Sequence, residues 1–345
     1  MLHSIDVCKN HKNIRLPAAI LCIVCMIAGF LFLSRPDAVA VLRLSETEPA
    51  YFMTKEDAAE TKITPNPCSD LSVPTSVTKI GDTYFIVDCY HNQIIYTDTL
   101  GRPLNEWYVM TDEIDRGHTL AGDGVVYLAD DTERGRILIF EKKGERFVHT
   151  QTFSDIGIRP HYIVYRPQDR CFYAWSSMTG EMYLFRRETD SSRVFLSEIR
   201  QIPALNGSYV RSFTIMDDDI YFVSGNASII KADVDSFRIK EEYPVPDAIA
   251  GMVQLTWIDG FFYLTVSTDR QGSQDAATII RTPDLKNLAA GDYEDVYGSF
   301  IGGGTPYYIS FIDDRYYLTE HRLPGHSVWS FSSENGELTD IQALY

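Results

Sequence analysis

Two histidines and an arginine recur at the same position of a repeating sequence pattern. They are His118, His161 and Arg211, and each directly precedes a short apolar stretch that ends in an acidic or glycine-containing turn. Histidine can act as an acid–base group or as a metal ligand, and arginine can hold a carboxylate or phosphate through paired hydrogen bonds. If the repeats converge on a common axis, these side chains form one polar pocket.

The same register can be extended to every repeat. Its first position holds Thr75, His118, His161, Arg211, Val253 and Tyr307, and its second holds Ser76, Thr119, Tyr162, Ser212, Gln254 and Tyr308. We predict a ligand-binding set at the mouth of a central channel, made of His118, His161, Arg211, Gln254 and Tyr308. The alternative is that these residues only hydrogen-bond and pack between neighbouring repeats.

The repeats are short β-strands anchored by aromatic residues. The anchors are Tyr84, Tyr127, Tyr173, Tyr221, Tyr263 and Tyr317, at intervals of 43, 46, 48, 42 and 54 residues. Short apolar runs separated by Asp and Gly turns are typical of strands and hairpins. A period of about 40–50 residues with four strands per unit indicates propeller blades. The sequence therefore predicts an all-β, six-bladed β-propeller of four-stranded blades over residues 72–345, with an insertion around residues 284–304.

The first two repeats resemble a known repeat family. In residues 85–96, FIVDCYHNQIIY, a strand ends in Asp88 and an Asn92-x-Ile94 turn and strand follow; Leu128-Ala-Asp130 with Gly135-Arg-Ile137 is a looser copy. This pattern resembles the NHL repeat, which implies a six-bladed propeller of the TolB-like type. The later blades lack the Asp/Asn pair, so the resemblance implies fold far more than activity.

The N-terminus carries an apolar segment. Residues 16–33 are uncharged and nearly all apolar, about the length that crosses a bilayer as a helix. Lys9, Lys12 and Arg15 precede it, so the positive-inside rule puts residues 1–15 in the cytoplasm and the body outside. We predict a signal-anchor helix at residues 16–34 and a single-pass cell-membrane protein with an extracytoplasmic body. The alternative is secretion after cleavage near Ala40, where Ala38-Val-Ala40 fits a cleavage site.

Residues 35–71 form the predicted juxtamembrane linker. Within it, residues 39–44 or 50–53 could add a strand to the propeller where the two ends of the chain meet. Outside the apolar segment and the N-terminus there are three cysteines, Cys68, Cys89 and Cys171. An odd number cannot all pair, so at most one disulfide forms, and Cys68–Cys89 is one option.

The net charge limits the partners. The 345 residues carry a net charge of −17, and nucleic acid or an anionic lipid surface would repel such a body. Rigid blades that present variable loops favour a binding module for a peptide, protein or glycan ligand. Cofactor, metal and oligomeric state are left open by the sequence.

An enzyme is the alternative. There is no Gly-x-Ser-x-Gly elbow, phosphate-binding glycine loop or His-Glu-x-x-His in the sequence. A hydrolase or lyase of the six-bladed kind would use His118 or His161 for acid–base work and Arg211 to hold an anion. A resemblance to lactonase-like propellers would imply a divalent metal held by Glu, Asn and Asp at the channel, and no such triad stands at matching blade positions.

Overall fold

The computed structural model describes residues 40–43, 51–52 and 63–345, which form six antiparallel sheets arranged in a ring. The innermost strands are Pro74–Ile80, Leu120–Gly122, Pro160–Arg166, Val210–Met216, Gly251–Ile258 and Thr305–Ile312. The second strands are Thr83–Asp88, Val126–Asp131, Cys171–Ser176, Asp219–Ser224, Phe261–Thr268 and Arg315–His321. The predicted six-bladed, NHL- and TolB-like architecture is thus confirmed as a fold.

The outer strands complete four-stranded blades. The third strands are Gln93–Thr97, Arg136–Lys143, Glu181–Arg187, Ser228–Asp233, Thr278–Thr282 and Val328–Glu334. The fourth strands are Tyr108–Thr111, Arg146–Phe153, Val194–Gln201, Ile239–Pro244, Glu294–Asp295 and Glu337–Ala343. Short 3-10 helices lie in the loops, at Cys89–His91, Leu104–Glu106, Pro203–Leu205, Asp247–Ile249, Gln274–Ala276, Leu285–Ala290 and Tyr297–Ser299. Blade 5 is irregular where the insertion was predicted, since its fourth strand has two residues between two of these helices.

The predicted linker contributes strands to three blades. Ala40–Arg43 pairs with blade 3, Tyr51–Phe52 with blade 2 and Thr64–Pro65 with blade 1, each as a fifth, outermost strand. The expectation that residues 39–44 or 50–53 add a strand to the propeller is confirmed, but these strands pair with blades 3 and 2 and not where the two chain ends meet. Blade 6 consists of four consecutive C-terminal strands, and the Tyr345 ring packs edge-on against Trp107 of blade 1 at 5.8 Å.

Aromatic and branched side chains fill the spaces between blades. The cluster between blades 3 and 4 contains Trp175, Phe213, Phe222 and Phe237, all nearly inaccessible to solvent. Strand residues alternate between faces, so each blade presents one apolar face to each neighbour. Burial of these faces holds the ring together and leaves the loops to solvent.

A belt of hydrogen bonds joins the innermost strands. Side chains of blades 1, 4 and 6 donate to backbone oxygens of the next blade: Thr75 to His118 at 2.8 Å, Ser212 to Val253 at 2.7 Å and Thr319 to Thr75 at 2.7 Å. At the blade 2–3 junction the Ile163 amide donates to Thr119 Oγ1, at 2.9 Å. His161 Nδ1 bonds Arg211 O at 2.9 Å between blades 3 and 4, and Gln254 spans blades 5 and 6. All six junctions are bridged.

The predicted membrane helix lies outside the described residues. None of the helices within the described part of the chain combines the length and apolar character that a membrane crossing needs. Cys68, Cys89 and Cys171 are free thiols, so the Cys68–Cys89 disulfide is absent.

We expect Gln254→Leu to lower the free energy of unfolding by about 2–5 kcal/mol. Gln254 accepts from Ile309 N at 2.6 Å and donates to Ile309 O at 3.2 Å, so leucine leaves two buried backbone groups without partners. Urea unfolding followed by tryptophan fluorescence measures the change. Gln274→Leu, the same substitution at an exposed position, is the control and is expected to stay within about 0.5 kcal/mol of wild type. Equal stability of the two variants would show that the hydrogen bonds of Gln254 between blades 5 and 6 do not stabilise the ring.

Candidate functional site

A cavity of about 530 Å³ opens on the loop face of the ring. This face carries the loops that lead into the innermost strands and those that join strands two and three. All six blades contribute to the lining, which consists of Val73, Thr75, Cys89, Tyr90, Arg116, His118, Arg159, Tyr209, Arg211, Ser267, Thr268, Gln274, Thr305, Tyr307, His321 and Arg322. Its volume falls in the range of small-molecule sites, about 300–1,000 Å³.

Stacked rings close the floor of the cavity. The imidazoles of His118 and His161 are parallel, with centroids 3.7 Å apart, and the Tyr307 ring stacks on His118 at 5.9 Å. Tyr308 packs against Tyr307 at 4.5 Å and against Tyr162 at 4.9 Å, deeper in the channel. We call these five residues the aromatic plug. It separates the loop-face cavity from a smaller cavity of about 280 Å³ on the opposite face.

The predicted site residues divide into two groups. His118 and Arg211 line the cavity. His161 is completely buried beneath His118, Tyr308 lies deeper in the plug, and Gln254 bonds the backbone of Ile309. These last three residues do not line the cavity and instead fill the channel or join blades.

The ring of His161 is held in its neutral form. A carbonyl oxygen can only accept, so Nδ1 carries the proton that it donates to Arg211 O. The single lone pair of Nε2 then accepts from the hydroxyl of Tyr209 or of Tyr307, both at 3.3 Å. Burial is the main cause that lowers the pKa of His161 well below its usual range, and the neighbouring His118 is the second cause. His161 is thus a neutral hydrogen-bonding core residue.

His118 is oriented by a hydrogen-bonded chain. Its Nδ1 lies 2.9 Å from Thr132 Oγ1, and this hydroxyl lies 2.7 Å from a carboxylate oxygen of Asp130. Asp130 also accepts from the backbone amides of His118 and Thr119. The other ring nitrogen, Nε2, lies 4.0 Å from Cys89 Sγ on the cavity side. Burial, followed by the charge of Asp130, raises the pKa of the Cys89 thiol to about 12, so this thiol stays protonated.

Asp88 and Asp130 fix the loops that enter their own blades. Asp88 accepts from the amide of Ser72 at 2.7 Å and pairs with His91 at 2.7 Å. Both carboxylates are fully buried and fully hydrogen-bonded. The Asp of the NHL-like motif therefore positions the chain that leads into each innermost strand.

Three loop positions have strained backbones. Val73, Arg116 and Arg159 each stand two residues before the register position and have φ of 60°, 53° and 60°. Residues other than glycine rarely adopt this left-handed backbone conformation, and such backbone strain concentrates at functional sites. It sets the direction from which Arg116 and Arg159 enter the cavity lining.

The repeat register could have revealed most of the cavity-lining residues that are absent from the predicted ligand-binding set. Arg116, Arg159 and Tyr209 stand two positions before His118, His161 and Arg211 in the same repeat pattern. The motifs Arg-x-His and Tyr-x-Arg mark them in the sequence. His321 ends the second strand of blade 6 and Arg322 begins the loop after it, a place for which the aligned register gives no signal.

A buried acid lies next to these two residues. The carboxyl group of Glu320 is fully buried, with Tyr297 Oη and Trp329 Nε1 as polar neighbours that do not reach hydrogen-bond geometry. Burial raises the pKa of Glu320 to about 7. Burial likewise lowers the pKa of His321 to about 4, and its Nε2 donates to Pro74 O. In the described part of the chain, no group of three or more acidic, histidine or cysteine side chains is arranged to hold a metal.

Comparison with known proteins supports the fold. No family model and no curated protein matches the sequence. The structure is similar to that of a streptogramin B lyase, with a TM-score of 0.54, 15% identity and coverage of 81% of this chain and 85% of that one. It is also similar to proposed 6-phosphogluconolactonases from Bacteroides uniformis (TM-score 0.53, 13% identity, 88% and 95% coverage) and Bacteroides fragilis (0.55, 10%, 78% and 83%). At these identities the similarity shows the fold alone.

We expect the contribution of His161 to the free energy of unfolding to decrease in acid. Because the folded-state pKa is lowered, this contribution is complete above the ordinary value of about 6.5 and is lost as the pH falls below it, by up to about 1.4 kcal/mol per pH unit. The free energy of unfolding of wild type minus that of His161→Gln should therefore decrease between pH 7.5 and pH 5.

Taking this difference cancels the titration of Glu320 and other groups that both proteins share. Gln274→Leu, which removes no titratable group and lies at an exposed position, is the control and should show no such slope. A pH-independent difference for His161→Gln would show that the buried ring is not held neutral.

Proposed function

We propose that the protein is a membrane-tethered, extracytoplasmic binding module that takes a peptide end, a protein segment or a glycan into the loop-face cavity. One observation carries the proposal: all six blades line a single cavity of about 530 Å³ whose floor is the aromatic plug. A rigid floor with loop-borne walls is the arrangement through which propeller scaffolds present a site.

The polar groups of the cavity floor favour a binding function over a catalytic one. His161 uses both ring nitrogens in hydrogen bonds within the plug, and Cys89 holds its proton. The side chains that reach the cavity freely are arginines and tyrosines, which recognise ligands through hydrogen bonds and stacking.

The apolar segment and the position of the first strand support the tether. If the membrane helix ends at residue 34, only five residues separate it from Ala40, which lies on the outer edge of blade 3. The six Cα-to-Cα steps from residue 34 to Ala40 span about 20 Å at most when extended. Blade 3 would therefore be the flank of the propeller nearest the bilayer, and cleavage near Ala40 would cut the chain at this edge strand.

We expect the full-length protein to remain in the membrane pellet after extraction at alkaline pH. Replacement of Leu21 and Val24, near the middle of the apolar segment, by arginine should release it. The reason is that a charged side chain at the bilayer centre costs roughly 2.5–3.5 kcal/mol. Immunoblotting of pellet and supernatant measures the partition. Recovery of a shortened wild-type chain in the supernatant would show cleavage and contradict the tether.

We expect Gln274→Trp to block ligand entry. Gln274 lies on the cavity rim and is exposed, so a larger ring there covers the opening without disturbing the core. A panel of neutral and charged peptides and glycans would be screened by thermal shift on the full chain in a non-ionic detergent. A ligand that raises Tm for wild type and not for Gln274→Trp supports the site. The same shift in both proteins, or no shift with the whole panel, contradicts it.

The oriented ring of His118 favours a second candidate, a lyase or hydrolase reaction. With Nδ1 fixed by Thr132 and Asp130, Nε2 would present its lone pair on the cavity side as a general base. Chemical conversion of a bound ligand, lost in His118→Gln while binding is kept, would favour this candidate over the first.

A further inference from the structure

The loop-face cavity is positively charged in an acidic protein. Four arginines are among the cavity residues, and no aspartate or glutamate is. The chain as a whole carries a net charge of −17. The arginines come from four blades: Arg116, Arg159, Arg211 and Arg322.

Two of these arginines have no carboxylate partner in the described part of the chain. Arg211 donates from Nη1 to the carbonyls of Gly251 and Met252, at 3.2 and 3.0 Å. Arg322 donates to the carbonyls of Gly303 and Gly304 and to Gln274. Carbonyl groups fix a guanidinium in place without neutralising its charge, and each guanidinium has five donors.

The other two arginines depend on one carboxylate. Arg159 contacts Glu133 at 2.5 Å, and Arg116 lies 4.0 Å from the same oxygen. Below the floor, Asp130 gives both its oxygens to hydrogen bonds with His118, Thr119 and Thr132. The buried acid Glu320 lies next to Arg322 without an ion-pair contact to it, so among the described residues the four guanidinium groups share one contacting carboxylate, that of Glu133.

Tyrosine rings hold two of the guanidinium groups in position. Arg211 lies over the Tyr209 ring at 4.8 Å, and Arg116 lies over Tyr90 at 5.2 Å. Such stacking fixes the guanidinium plane while its edge stays free to donate, so little conformational entropy is lost when an anion binds.

From this arrangement we propose that the cavity binds a small polyanion with at least two carboxylate or phosphate groups. One group lies against Arg211 and another against Arg322, which come from blades 4 and 6. The acidic outer surface repels long polyanions, so the ligand is small enough to fit about 530 Å³. This inference rests on the proposed binding function and names the chemistry of its ligand.

Isothermal titration calorimetry of the full chain in a non-ionic detergent tests the proposal. Citrate and pyrophosphate are the probes, which separate carboxylate from phosphate recognition, and acetate and glucose are the controls, all at pH 7.5 and constant ionic strength. Citrate or pyrophosphate is expected to bind with Kd of about 1 mM or tighter, and acetate and glucose are not. Arg211→Gln and Arg322→Gln should each weaken binding by about tenfold or more.

Arg315→Gln is the matched control, because it removes the same charge from an arginine outside the cavity that pairs with Asp340. Its affinity should equal that of wild type. Failure of both anions to bind, or equal weakening by all three substitutions, overturns the polyanion inference. If a neutral peptide or glycan then binds wild type and not Gln274→Trp, the proposed binding function is supported although the polyanion inference is wrong. If no neutral peptide or glycan binds in this way, the binding function and the polyanion inference are both contradicted.

Discussion

The innermost strand of each blade has a channel-facing edge whose backbone groups cannot all be paired within that blade, and buried backbone groups without partners are costly. Side chains of the preceding blade meet this requirement at every junction, including the one that joins the chain ends through Thr319 and Thr75. Residues at the start of each innermost strand are therefore needed first to hydrogen-bond the neighbouring blade. Only side chains that are not used in these bonds can contact a ligand.

The plug follows from the same constraint. His161 and Gln254 are occupied at junctions, and the stacked rings of His118, Tyr307 and Tyr308 fill the axis above and beside them. With the channel closed, the loop face becomes a cavity with a floor. Its walls come from loops fixed by buried carboxylates, and four arginines are among the side chains that line it.

The repeat pattern predicts the ring well, because aromatic anchors and acidic turns recur wherever blades must pack and reverse. It places His118 and Arg211 at the cavity. It does not separate these two from His161, Gln254 and Tyr308, which lie outside the cavity lining, since one register position cannot distinguish a side chain that faces solvent from one that bridges two blades. Arg322 could not be predicted from the register, because a loop brings it to the cavity from blade 6.

An anomalous difference map tests the central claim most directly. Crystals of the protein soaked in tungstate would locate a tetrahedral dianion that stands in for a phosphate or carboxylate group. We expect a peak within the loop-face cavity, at hydrogen-bond or ion-pair distance from the guanidinium groups of Arg211 or Arg322. Tungstate peaks confined to the outer surface, with none in the cavity, would contradict it.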